Sequence, residues 1–405
     1  MLKRILSVAI AGISGASFAQ SSVTIYGIVD VATMGTNQSG VKNPAGSQYG
    51  GNTFNLNNNS SLMGFKGAED LGQGLKGIFQ AETAVNITGN NGTGVAFGTG
   101  NLFPTLRDSY VGLTGPFGSA IGGYVSPPVR QTLASAAVMP GATGPGDITK
   151  QMTAIRLGRP VGSTQFSSAV RATGVIYAMP TRYGIDSSIM YSGSNNNGTT
   201  NTTTADSCSG DEASACSMTP QSIFGFNLGW TGYGVSVKGA FQQATNRITP
   251  VPGTNIGNYG NYTTYLLTPS YTGLPGLKVA AIYARNSLGT VGTTLATPQG
   301  AGKLTNNQLW AGVSYRMGRW EPRFAASWSS DLNGSAIQQL GARQWTANLG
   351  HFLSERTQVY GVVSNVSNSA NQTFTLGLQT SQLGTTVDTS GSNLFTYGLG
   401  LRTSF

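Results

Sequence analysis

The stretch Phe395-Thr-Tyr-Gly-Leu-Gly-Leu-Arg-Thr-Ser-Phe405 sets the reading of the whole chain. Counting back from Phe405 in steps of two gives Thr403, Leu401, Leu399, Tyr397 and Phe395, with Ser404, Arg402, Gly400, Gly398 and Thr396 between them. Successive side chains of a strand point to opposite faces. One face here is therefore apolar with aromatics at its end, and the other is small or charged. Strands of about this length cross a bilayer at a tilt. Ending the chain inside such a strand, on an aromatic, leads us to expect a sheet that closes on itself.

The other end points to the cell envelope. Lys3 and Arg4 precede the apolar run Ile5–Ile13, followed by small residues and Ser17-Phe18-Ala19. That is a charged region, a hydrophobic region and a small-x-small cleavage site. We expect residues 1–19 to be a cleaved signal peptide and 20–405 to form a single barrel.

Only 9% of residues are charged and 58 are glycine, in a chain of formal net charge +9. No uninterrupted apolar run is long enough to cross a bilayer as a helix, which excludes a helical membrane protein. A secreted Gly/Ser/Thr-rich adhesin would share this composition, so the positional pattern has to decide.

That pattern is an alternation of connections. Tight, Gly-rich turns occur at Asp70–Gly74, Gly115–Gly118, Pro180–Gly184, Trp230–Gly234, Thr272–Gly276, Met317–Arg319 and Ser354–Arg356. Gly, Pro and Asp supply turn geometries that β-branched residues disfavour. Long Asn/Gly/Ser/Thr-rich connections fall at roughly 35–58, 87–104, 126–166, 193–220, 247–260, 289–305, 331–341 and 366–393. Fifteen connections imply sixteen strands. Short turns on one side and long loops on the other are the asymmetry of an outer-membrane barrel. The expected fold is thus all-β, a 16-stranded antiparallel transmembrane barrel with short periplasmic turns and long external loops.

The strands alternate as that fold requires. Val235, Val237, Gly239 and Phe241 interleave with Ser236, Lys238, Ala240 and Gln242; Trp320, Pro322, Phe324, Ala326 and Trp328 interleave with Glu321, Arg323, Ala325 and Ser327. Nearly all charges fall on the non-apolar face. An aqueous lumen explains this, because Lys or Arg facing mid-bilayer lipid costs about 2–4 kcal/mol.

Several stretches also resemble the Gram-negative general porins of the β-proteobacterial (Burkholderia/Neisseria-like) group. They are Ser22-Val-Thr-Ile-Tyr-Gly-Ile-Val-Asp30, Gly64 to Glu82, Leu102-Phe103, Arg107, Tyr110-Val-Gly-Leu113, Phe117-Gly118, Gly398 to Arg402, and Phe405. The resemblance implies a homotrimer, each barrel with its own channel, and a third long loop, about 126–166, folded inward to narrow the pore. In this family an Arg commonly stands at the place of Leu62 and another at that of Gly123. A third, in the pattern before the third short turn, is here lost or shifted to Arg171. The ladder of inward cations is thinned.

The function expected is an outer-membrane general diffusion porin passing small hydrophilic solutes and ions, with a weak anion preference. The alternative is a channel selective for a sugar or small organic acid. Strand parity makes Lys66, Lys238, Arg323 and Arg402 lumen-facing; Arg107 rests on the family resemblance, and Arg171 completes the cationic side. Asp30, Glu82 and Asp147 form the opposing acidic side, and Arg130 lies on the third loop. Trimer contacts would use outward small residues such as Gly112 and Ala120. Tyr26, Tyr124 and Trp310 are possible aromatic linings.

Other chemistry is poorly supported. Cys208 and Cys216, in a polar loop of an oxidising compartment, suggest a disulfide rather than a metal pair. A barrel enzyme would need His351 as its base, beside a periplasmic turn. Basic residues are spread along the chain rather than patched, which argues against nucleic acid. They suggest lipopolysaccharide phosphates as neighbours of exposed loops. No cofactor is expected.

Overall fold

A computed structural model describes residues 22–40, 52–59, 61–85, 87–88, 106–140, 144–146, 148–157, 165–193, 222–245, 259–290, 302–374 and 390–405. Residues 1–19, expected to be a signal peptide, lie outside the described residues, as do Asp147, Cys208 and Cys216. In chain order the elements begin with β1 (Ser22–Ser39), β2 (Asn52–Asn58), β3 (Leu62–Gly72), β4 (Leu75–Ala84), β5 (Ser109–Gly115) and β6 (Gly118–Val125). Within the third loop come α1 (Pro128–Ala136), α2 (Ile148–Gln151), β7 (Ala154–Arg156) and β8 (Gln165–Ser167). Then follow β9 (Ala172–Ala178), β10 (Ile185–Ser192), β11 (Ser222–Gly232), β12 (Val235–Thr245), β13 (Tyr259–Tyr271) and β14 (Leu277–Thr290). The last are β15 (Gly302–Tyr315), β16 (Trp320–Ser329), β17 (Ala342–Phe352), β18 (Thr357–Asn368) and β19 (Asn393–Ser404).

Seventeen of these strands form one antiparallel sheet. Two of them share one place in the wall: β1 pairs with β3 over Ser22–Ile28 and with β2 over Val31–Asn37. The ring is therefore 16-stranded, and it closes where β19 pairs with β1 from Ser404–Ile28 to Asn393–Ser39. Closure removes every open edge, the condition for a sheet in hydrocarbon. At the seam Gly27 and Phe405 exchange backbone hydrogen bonds of 3.1 and 3.2 Å. A Cβ on Gly27 would stand 2.4 Å from the Phe405 ring, so the terminal aromatic lies directly over that glycine.

All seven short turns fall where the sequence places them. Gln73-Gly74, Tyr183-Gly184 and Tyr233-Gly234 have positive φ at both residues, the geometry of the tightest hairpins. The strands run longer than expected at two loops: β1 and β2 occupy much of 35–58, and β14 and β15 extend into 289–305. Asn, Thr and Gly there continue the ladder because their backbones still find partners across the sheet.

Parity holds around the wall. Val237, Phe324 and Leu399 are exposed on the outside, while Gln242, Asn286, Thr346 and Thr396 are buried on the inside. Gly112 corrects our expectation. Its neighbours Val111 and Leu113 point outward, so Gly112 faces the lumen; Ala120, paired with Leu113, shares the outer face.

The inner wall is not uniformly polar. Helix α1 starts on Pro128, whose fixed φ suits a first turn. It buries Val129, Leu133 and Ala136 against Ala240, Leu266, Ala280, Ile282, Ala284, Trp310 and Ala325. Trp310, a possible solute lining, instead lies beneath the third loop at 3% exposure.

Candidate functional site

The third loop is fixed inside the barrel by its own small core and by polar anchors. Lys278 Nζ donates to the carbonyls of Ser135 (3.0 Å) and Ala137 (2.8 Å), placing a cation at the negative end of α1. Tyr262 donates its hydroxyl to Thr153 O at 2.8 Å. Asn306 Nδ2 and Gln308 Nε2 both donate to Ala154 O, at 3.1 and 2.9 Å. Arg156 Nη1 donates to Thr373 O at 3.1 Å, and its guanidinium lies 4.7 Å from the Phe374 ring centre. The eighth loop thus reaches inward and holds the third. Nothing in the sequence marked Lys278, Asn306 or Gln308 for this work beyond their inward parity, and nothing marked Phe374, which lies in the eighth loop.

The cations of the wall are paired. Arg107 Nε lies 2.5 Å from Glu82 Oε1, and Tyr26 donates its hydroxyl to Glu82 Oε2 at 2.9 Å. Arg171 Nε meets Asp108 Oδ2 at 2.8 Å, and Asp108 also accepts from Ser126 at the root of the third loop. Lys238 meets Asp186 at 3.1 Å, and Arg323 meets Glu321 at 2.7 Å. Arg323 further donates to Asn348 Oδ1 at 2.8 Å. Arg402 Nη1 meets the fully buried Asp30 at 2.9 Å, and Tyr360 donates to the same carboxylate at 2.6 Å.

This arrangement differs from the expected one. Asp30 and Glu82 do not stand across the lumen from the arginines; each is bonded to one. Burial explains the choice, because a carboxylate removed from water needs a charged partner at hydrogen-bond distance. Arg130, on the third loop, is buried and donates to Ala169 O at 2.5 Å. Lys66 has no such partner: it is exposed, lies on the inward face beside Tyr26 with its ammonium 5.1 Å from that ring centre, and meets no carboxylate among the described residues. Inward Lys76 on β4 and Lys278 on β14 meet none there either. Leu62 lies on the same inward face, opposite Ile28 and Ala84. His351 lies outward, its ring centre 4.3 Å from that of Trp320.

A closed 16-stranded wall, a loop folded into its lumen and a ring of inward charges define a β-barrel channel of the porin type. The chain belongs to the Gram-negative porin family, whose model matches residues 6–371, and that membership places the barrel in the outer membrane. It is 38% identical to outer membrane porin protein 32 of Delftia acidovorans over 136 residues, 33% of this chain and 35% of that one. It is 40% identical to the major outer membrane protein P.IB of Neisseria gonorrhoeae over 72 residues, 18% of each. The chain thus covers about a third or less of the length of these relatives. Among solved structures it matches an anion-selective porin from Comamonas acidovorans with a TM-score of 0.68 at 22% identity, covering 95% of this chain and all of that one. The trimer form of OmpT from Vibrio cholerae matches with a TM-score of 0.59 at 12% identity, over 95% of this chain and 99% of that one.

Proposed function

We propose that this protein is a general diffusion porin, passing small hydrophilic solutes and ions down their gradients, with a weak preference for anions. The observation that carries this is the pairing pattern: five wall cations are matched to five carboxylates, while Lys66 and Lys76 stand exposed on the inward face with none among the described residues. Paired charges present nearly neutral dipoles to a passing ion, so selectivity falls to the residual excess at the narrow section. The relatives named as porins agree with a diffusion channel, and the neighbour titled anion-selective agrees with that sign.

No reaction is assigned to the barrel. His351, the one histidine, is turned away from the lumen and packs at a tilt against Trp320. A homotrimer is part of the same proposal, supported by the trimeric neighbour. The outer wall near the seam is also concave, rimmed by Phe54, Leu349, Tyr397 and Leu399 over Gly361.

The test is planar-bilayer recording on the purified protein. Large stable conductance steps with a small anion-side zero-current potential are expected. Small steps blocked by one particular sugar or acid would replace this reading with a selective channel, and a folded barrel without steps would end it.

A further inference from the structure

Apolar–polar alternation sets which face a residue takes but not which partner it meets. A strand slipped by two residues keeps every side chain on its own face. In a hairpin the tight turn removes that freedom. No turn joins β1 to β19, whose paired residues Thr36 and Thr396 are 360 positions apart in the chain. Closure of the ring needs another source of register.

The glycines near the seam supply one. Tyr397 of β19 stands directly opposite Gly35 of β1, and Phe405, next after β19, stands opposite Gly27. Tyr26 faces Gly64 across β1 and β3, Phe79 faces Gly67 across β3 and β4, and Tyr360 faces Gly400 across β18 and β19. In all five pairs the ring lies over the glycine, and a Cβ built there would come within 2.5 Å of it. The five pairs occupy four consecutive junctions, from β18 round through β19, β1 and β3 to β4. Elsewhere, rings comparably close to a described glycine belong to a residue two positions away in the chain: Trp230 over Gly232, Tyr271 over Gly273 and Trp310 over Gly312.

We propose that ring-on-glycine pairing sets the register in which the barrel closes. Tyr397 on Gly35 and Phe405 on Gly27 select it, and the flanking pairs hold the strands that carry them. A ring can lie this close to the sheet only over a residue without a Cβ. Slipping β19 by two residues in either direction would bring Tyr397 over Thr33 or Asn37, and Phe405 over Ile25 or Val29. Each of those residues has a Cβ, so both slips lose the cross-strand contact and add a clash. In a barrel of fixed strand number the register at closure sets the shear, and with it the width of the lumen. These pairs are features of the wall, independent of which solutes the channel passes.

The test traps the register by disulfides in the refolded full-length chain, with Cys208→Ser/Cys216→Ser as background. Thr36→Cys/Thr396→Cys reports the register seen here; Thr36→Cys/Leu394→Cys and Gln38→Cys/Thr396→Cys report slips of two residues in the two directions. With Tyr397 present, only the first pair should cross-link. Tyr397→Leu, which keeps an apolar outward residue, should raise the slipped products about fivefold. Gly35→Tyr/Tyr397→Gly exchanges ring and glycine between the strands and should return cross-linking to the first pair; Gly35 has no positive φ to bar a side chain. Slipped products that stay at the background level in Tyr397→Leu overturn the proposal, as does a background chain that forms all three disulfides equally. Where Tyr397→Leu does not fold, the exchange variant decides: a folded barrel with only the first disulfide supports the proposal, and any other result overturns it.

Discussion

Arg107 and Glu82 act as one unit in the lumen wall, Nε to Oε1 at 2.5 Å, with Tyr26 closing the other carboxylate oxygen at 2.9 Å. Their side chains are only 7% and 10% exposed. Replacing one partner therefore changes the net charge of the wall at this point. Glu82→Gln should make the wall beside the pore more positive. A unit charge about 4 Å from a passing ion is worth about 1 kcal/mol in water, so the anion-to-cation permeability ratio should rise several-fold. Arg107→Ala should shift preference toward cations and cost about 3 kcal/mol of stability. Zero-current potentials and urea unfolding of the two variants read these effects; unchanged potentials in both would remove the pair from the conducting surface.

Lys66 carries a different prediction because it is exposed and has only the Tyr26 ring beneath it. Lys66→Ala should move preference toward cations as much as Arg107→Ala does, yet leave the unfolding midpoint in place. Leu62→Arg, on the same inward face, should move it toward anions. A Leu62→Arg reversal potential equal to that of the wild type would show that a charge at this position is not felt by the permeating ions.

These two positions show what was legible in the sequence. Strand parity needs only the period of two, and it placed Lys66, Lys238, Arg323 and Arg402 on the inner face; Gly, Pro and Asp placed every short turn. It carried no information about partners, because Asp30 and Arg402 are neighbours only through barrel closure. Trp310 and Ile282 look like lumen or lipid residues by composition, and only the loop packed over them gives them a core. Gly112 was misplaced because a glycine has no side chain to declare a face, and the parity of Val111 and Leu113 decides it. Asp108 was overlooked as the partner of Arg171, since the two are brought together only where the third loop leaves and returns to the wall.

Lys278 supplies the next test. It holds the last carbonyls of α1, which otherwise have no helical donor. Lys278→Met keeps the stem that lies along the wall and removes the charge. Hydrogen bonds from a charged group contribute about 2 kcal/mol, so the helix end should fray while the barrel remains. Single-channel records should show more rapid current fluctuation with an unchanged melting temperature of the whole barrel. A quiet channel identical to the wild type would mean that the apolar face of α1 suffices to fix it.

The contact between the third and eighth loops should govern how long the channel stays open under voltage. Asn368 holds Phe374 from both sides, its Nδ2 donating to Phe374 O at 2.8 Å and its Oδ1 accepting from Phe374 N at 2.9 Å. The ring so fixed packs among Ala32, Met34, Tyr360, Val362, Val366 and Leu394 on the inner wall. It then offers its face to Arg156, which adds the bond to Thr373 O. Phe374→Ala removes both the packing and the cation–π contact, the latter about 1–2 kcal/mol when desolvated, and leaves the seam strands paired. A third loop freed at this end should swing into the lumen under an applied field, so the variant should close at lower voltage than the wild type. Phe374→Tyr, which keeps the ring, should behave like the wild type. Equal closing voltages for Phe374→Ala and wild type would assign the restraint to the other anchors of this end, Tyr262, Asn306 and Gln308, and the Asn306→Ala/Gln308→Ala variant would then be the one to close early.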